Sequence, residues 1–319
     1  MKRFLILTLL LYSLTGNSQI NIRNSAQEIS ETNPKMLELV SFAKEKFKDS
    51  IDRAKFIYYW IGLNIKYDFE LLEKLETTVG YSKPDLNKEY SYNYDPELVF
   101  KKKKAICYGY SLLYQWFMFE LGIESTIISG HIRNERNHYV ELTKDDNYRH
   151  AWNAIKINGK WILVDTTWGT SLNSSISDFY FDMKPERAII THYPELAKWQ
   201  LLENPLTLKK FNKSKFINPI WFKVGYTDNP NIKQDNKYYY FVFRNNPDQN
   251  WLVNLLYSSD NYNFKKIPEL QKIIQDGYTF LRFNKSKISE KAYFKVNLYK
   301  LVGEVNYVLK YRDVINFKI

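Results

Sequence analysis

The stretch His150-Ala-Trp-Asn-Ala-Ile-Lys-Ile-Asn-Gly-Lys-Trp-Ile-Leu-Val-Asp165 decides how this chain folds. Two apolar-rich runs flank Asn158-Gly159, the strongest short signal for a two-residue type I′ hairpin. With those two residues as the loop, Ile157 pairs with Lys160 and the remaining pairs follow outward in step. Trp152 then faces Asp165, and His150 faces Thr167. His150, Trp152 and Asp165 therefore share one face of the sheet, with Asp165 diagonal to His150 at roughly 7 Å or less between Cβ atoms. A carboxylate so placed can hold an imidazole in one tautomer and stabilise it when protonated, which is the duty of the third member of a triad.

Moving toward the N-terminus, the partner for such an imidazole is Cys107, the chain's one cysteine. It sits where a helix is predicted to begin, just after the run Lys101–Lys104. Unpaired N–H groups and the helix dipole favour a thiolate there, and nearby lysines add to the effect. A cysteine kept only for the core would fall mid-helix, among Leu112, Leu113 and Trp116. The histidines are His131, His138, His150 and His192. Only His150 has a carboxylate placed on its own face, so His138 is the weaker base. Gly109 is odd in a helix; either another group packs closely beside the catalytic turn or the glycine is simply tolerated.

Around this segment the pattern is helical first and extended afterwards. Helices are expected over 36–47, after a cap at Asp49 or Ser50 (with Ile51, Ala54, Tyr58 and Ile61 recurring), and over 106–121, where Gly122 stops the third. Residues 76–97 read as an irregular surface segment. Strands follow at Ser125–Ile132, His138–Leu142, His150–Ile157 and Lys160–Asp165. This order predicts an α+β domain with an antiparallel sheet. From about residue 212 the runs Ile220–Tyr226, Tyr238–Arg244, Trp251–Tyr257, Tyr278–Phe283, Ala292–Leu301 and Tyr307–Tyr311 predict a C-terminal all-β, sandwich-like domain.

Composition supports two such domains. The chain has 319 residues, and 17% of them are aromatic, enough to fill two cores and favour strands. A single cysteine excludes an intrachain disulfide and a zinc site built on several thiolates. At the start, Lys2 and Arg3, the apolar run Phe4–Leu14 and the small or polar Gly16-Asn17-Ser18 follow the plan of a secretory signal peptide. The run is about half the roughly 20 residues a spanning helix needs, which favours export over the rival reading, an uncleaved anchor. Export would leave a secreted or periplasmic protein with no membrane span after cleavage. Loss of Lys2 and Arg3 takes the formal charge from +11 to +9. That charge suits an anionic envelope polymer or an acidic protein better than nucleic acid, which is not expected as a partner. No phosphate loop, HExxH or EF-hand pattern occurs, so neither metal nor cofactor is expected.

Lys104-Ala-Ile-Cys107-Tyr-Gly-Tyr-Ser111, His150-Ala-Trp-Asn153 and Trp161-Ile-Leu-Val-Asp165-Thr-Thr-Trp-Gly169 together resemble the transglutaminase-like superfamily. The segments Tyr59–Asp68, Phe179–Glu186, Thr191–Pro194 and Trp199–Leu202 are similar to the flanking parts of its kyphoscoliosis-peptidase-like branch. The resemblance runs over about residues 36–212 and implies a papain-like core with Cys107 as nucleophile, His150 as base and Asp165 as orienter. It departs from the family pattern at Ala105, where glycine is usual, and at Thr166, where proline is usual. The second oxyanion donor stays open, with Trp60 and Tyr67 as nearby aromatics that could equally be core.

The expected organisation is a signal peptide over 1–18, a catalytic domain over 19–211 and a β domain over 212–319. The expected activity is attack of Cys107 on a peptide or carboxamide carbonyl of a protein or peptide substrate, for which the cell envelope is one setting. A thioester forms, and hydrolysis is slightly favoured over amine transfer. The alternative is a non-catalytic secreted binding or scaffold protein.

Overall fold

The computed structural model describes residues 22–77, 91–134, 141–144, 149–170 and 175–319. The signal segment over 1–18 lies outside them, as do His138 and most of the strand expected at His138–Leu142; Glu141 and Leu142 have irregular backbone. The chain divides into two compact units. One holds the described residues up to His131, those between Asp145 and Ala188, and Pro194–Pro205. The other holds those between Ile132 and Lys144, Ile189–Tyr193 and Leu206–Ile319.

In the first unit, α1 covers 22–30, α2 Met36–Lys46 and α3 Ser50–Asn64. Asp49 occupies the N-cap of α3, yet its side chain makes no capping bond. Every residue from Phe56 to Ile61 is buried. A helix apolar on all faces is a central core helix, which the four recurring positions in the sequence understate. Strand β1, Lys66–Tyr67, is followed by α4, Phe69–Thr77, and later by α5, Pro96–Lys102. The irregular segment expected over 76–97 therefore ends in a helix. Asp95 accepts the N–H groups of Glu97 and Leu98, and Pro96 stands at the first helical position. Strand β2, Lys104–Ala105, pairs in parallel with β1, and α6, Cys107–Glu120, starts directly after it.

A sheet follows. It is built from β3 (Ser125–Ile132), β4 (Arg149–Ile157), β5 (Lys160–Val164) and β6 (Phe181–Met183), in the order β6-β5-β4-β3, and the short β7 is His192–Pro194. Its β3–β4, β4–β5 and β5–β6 ladders are antiparallel. The β4–β5 ladder runs from Ile157–Lys160 to Asn153–Val164, the register set by the turn. Asn158 and Gly159 both have positive φ, 50° and 77°, as a type I′ turn requires. The ladder stops at Val164 because the chain enters α7, Thr166–Thr170. His150 thus never faces Thr167; it pairs with Gly130 on β3. After β6, α8 covers Pro185–Ala188.

The second unit begins with α9, Leu208–Lys213, β8, Phe216–Ile217, and α10, Ile220–Lys223. The strand expected at Ile220–Tyr226 is therefore a helical turn. Pro219 holds right-handed helical dihedrals at its start, and Asn218 Oδ1 accepts the N–H of Ile220. Eight strands follow: β9 (Asn231–Gln234), β10 (Tyr238–Arg244), β11 (Trp251–Ser258), β12 (Lys265–Lys266), β13 (Gln271–Gln275), β14 (Tyr278–Asn284), β15 (Tyr293–Val302) and β16 (Asn306–Lys318). They form two antiparallel sheets, β13-β14-β10-β9 and β12-β11-β15-β16-β8. Phe241 of one sheet stacks on Phe317 of the other, and Phe283 meets Phe294, so the inner faces share one core. This is the sandwich-like architecture expected from the alternation.

Candidate active site

Cys107 is the first residue of α6. Its N-cap, Ile106, is extended and has no side chain able to cap the helix. The N–H groups of the first turn therefore have no intrahelical partner, and the dipole places positive potential at the thiol. The turn is held from outside. Lys66 donates its N–H to the carbonyl of Lys103, and Asp68 donates to that of Ala105, both at 2.9 Å. Asp68 is buried; its carboxylate takes the hydroxyl of Tyr92 and lies 3.1 Å from Lys104 Nζ. Its burial would raise the carboxyl pKa, but the bonds from Tyr92, Leu71 and Lys104 outweigh that and hold it below its ordinary value.

His150, on β4, and Asp165, just past β5, are brought together by the hairpin. His150 Nε2 lies 2.8 Å from Asp165 Oδ2, with both side chains almost wholly buried. Asp165 Oδ1 accepts the N–H groups of Thr167 and Trp168, each at 2.9 Å. The aspartate thus caps the short α7 with one oxygen and orients the imidazole with the other. Thr166, in place of proline, fits the first position of α7 and leaves both bonds intact. With Nε2 engaged, Nδ1 is the nitrogen left for the thiol.

The electrostatics follow from these contacts. Burial alone would push the imidazole pKa down, but the charge and hydrogen bond of Asp165, aided by Cys107, raise it to about 10. Burial would likewise push the thiol up; the hydrogen bond and charge of His150, with the N–H of Ala151, hold Cys107 below its ordinary value. Both shifts favour the thiolate–imidazolium form. Two of the lysines to which the sequence ascribes this effect are otherwise engaged: Lys104 meets Asp68, and Lys103 Nζ lies 3.7 Å from the ring centre of Phe100. Cys107 is enclosed by these groups yet keeps part of its surface open to solvent. The bond from Ala151 is a backbone feature with no side-chain signature, and sequence reasoning misses it.

Two tryptophans flank the imidazole. Trp152 is buried, with its ring centre 6.0 Å from that of His150, and the half-buried Trp168 lies at 5.7 Å. Gly169 is required by crowding: a Cβ there would meet the hydroxyl of buried Tyr58 at 1.7 Å. Trp60 is stacked on Phe100 and Tyr67 packs on Phe69, so both of these aromatics serve packing. His131 Nε2 lies 3.0 Å from Arg149 Nη1, and His192 Nδ1 lies 2.8 Å from the hydroxyl of Thr191. Gly109 also has its explanation, since a Cβ there would fall 2.3 Å from Asn93 Oδ1 and 2.8 Å from Ala105 Cβ.

Residues 40–166 match the model of the transglutaminase-like superfamily, so the resemblance seen in the motifs holds over this core. Kyphoscoliosis peptidase of Mus musculus is 26% identical over 196 residues, which is 59% of this chain and 27% of that one. Its Homo sapiens counterpart is 27% identical over 194 residues, covering 57% and 27%. Hillarin of Drosophila melanogaster is 27% identical over 143 residues, covering 38% and 18%. The chain thus spans about a quarter of the length of the two peptidases it matches.

Proposed function

We propose that this chain is a thiol enzyme acting on peptide or carboxamide bonds, with Cys107 as nucleophile, His150 as general acid and base, and Asp165 as orienter. The carrying observation is the buried relay in which Asp165 Oδ2 takes His150 Nε2 at 2.8 Å while the same imidazole bonds to the Cys107 thiol. In the reaction, the Sγ–carbon bond forms as the carbonyl π pair moves onto oxygen, where backbone N–H groups at the start of α6 stabilise it. The oxyanion then collapses, the C–N bond breaks, and the imidazolium proton goes to the departing amine. Water, losing its proton to His150, attacks the thioester and releases the acid; an amine in its place would give transfer. The peptidase relatives favour hydrolysis. The signal pattern over 1–18 supports an activity outside the cytoplasm, on a protein or peptide of the envelope or the medium.

The test is turnover of a peptide library and of a small ester, p-nitrophenyl acetate, by wild type and Cys107→Ala. Wild type is expected to acylate at Cys107 and the variant to lose all turnover while keeping its melting temperature. A wild-type chain that never acylates would instead mark a non-catalytic binding or scaffold protein.

A further inference from the structure

Asn93 sits 1% exposed in the turn Ser91–Tyr94, held on both sides by anchored neighbours. Tyr92 is fixed through its hydroxyl to Asp68, and Asp95 caps α5. From this rigid position Asn93 Oδ1 accepts the N–H of Ile106 at 2.9 Å, one residue before the nucleophile. Its Nδ2 is buried with no partner among the described residues. A buried, unpaired N–H is an exception that calls for a reason. The space it fills is reserved: a Cβ at Gly109 would come within 2.3 Å of Oδ1 and 3.0 Å of Cγ. Asn93 and Gly109 are therefore matched parts of one contact, made at the uncapped start of α6.

We infer that Asn93 is a positioning residue: by accepting the N–H of Ile106 it fixes the Ala105–Ile106 peptide, and with it the backbone from which the next N–H, that of Cys107, faces the developing oxyanion. This rests on the thiol-enzyme reading above. Ile106 has no side chain with which to cap the turn, so the hold must come from outside the helix. Without Asn93 the backbone at Ile106 can shift and carry the Cys107 N–H with it, and a displacement on the order of 1 Å in such a donor costs roughly 10²-fold in rate. The thiol itself keeps its partners His150 and Ala151.

Two reagents separate these functions. With p-nitrophenyl acetate, Sγ bonds to the acyl carbon, an oxyanion forms, and p-nitrophenolate leaves with the electron pair of the broken C–O bond. With iodoacetamide, Sγ displaces iodide from carbon and no oxyanion forms. Asn93→Ala is expected to slow acylation about 10²-fold, while the alkylation rate and its pH profile stay within about twofold of wild type. Gly109→Ala, which drives Oδ1 off Ile106, should show the same signature, and the double variant should lose no more than Asn93→Ala alone. Asn93→Asp keeps the acceptor and the shape. Compared at equal thiolate fraction, it should retain acylation to within about tenfold, and it decides the matter if Asn93→Ala does not fold.

Acylation near the wild-type rate in Asn93→Ala overturns the inference and leaves the thiol-enzyme reading standing. So does a parallel fall of alkylation and acylation, or an Asn93→Asp variant as slow as the alanine one. A wild-type chain that alkylates but never acylates overturns the enzyme reading, and this inference with it.

Discussion

The ion pairs His150–Asp165, in the first unit, and Lys295–Asp313, in the second, have the same length, 2.8 Å. Side-chain exposures are 4% and 0% for the first pair, but 21% and 39% for the second. Water reaches the half-buried lysine pair and screens it, so it contributes about 0–1 kcal/mol. Around His150 the solvent is replaced by Trp152, Trp168 and the protein backbone, and the partner's charge is felt nearly undiluted. Equal geometry gives a proton-holding device in one place and a surface contact in the other. Burial decides which.

The sharpest way to break this comparison is Asp165→Asn. The amide keeps the shape and can still accept from Thr167 and Trp168 through its oxygen. Its NH2 then faces His150 Nε2, which must accept, so the proton moves to Nδ1 and the ring can no longer take the thiol's proton. Turnover should fall by a factor on the order of 10 to 10⁴, with a rise in the apparent pKa of Cys107. Wild-type values for both in steady-state and titration measurements would show that another group orients the base.

A second test reads the same pair through stability. The imidazole is raised from its ordinary value near 6.5 to about 10. A group raised in the folded state stabilises fully below its unfolded pKa and loses that contribution as pH climbs through the folded one. The melting-temperature advantage of wild type over Asp165→Asn should therefore be full at pH 6 and shrink steadily between about 6.5 and 10. An advantage that grows with pH across that window would reverse the assignment.

The smallest effect is expected at the half-buried, solvent-screened pair. Lys295→Met should change unfolding free energy by no more than about 1 kcal/mol, as measured by urea titration. A loss of several kcal/mol would mean that exposure is not what separates the two pairs.

How legible each part is in the sequence depends on how local its cause is. Asn158-Gly159 imposes its register through two positive φ angles, so the approach of Asp165 to His150 follows from the sequence pattern alone. The alternating aromatic strands of the second unit are equally readable, because period two survives burial of one face. Helix α5 escapes such a reading although Asp95-Pro96 is a proper helix start; among tyrosines and asparagines it passes for a turn. Ile220–Tyr226 shows the reverse error, since a short apolar run carries no period and Pro219 tips it into a helix. Asn93 leaves no trace, because its partner is a backbone N–H and the fold alone brings it there. Only the odd Gly109 hints at it.

The central claim is that Cys107 is a thiol already ionised by its neighbours. Its iodoacetamide alkylation rate, followed by mass spectrometry across pH 5 to 10, tests this most directly. We predict a rate that is nearly flat through neutrality in wild type and that acquires an ordinary thiol titration in Asp165→Asn. A wild-type rate that keeps climbing through the free-thiol range near 8.5 would contradict it.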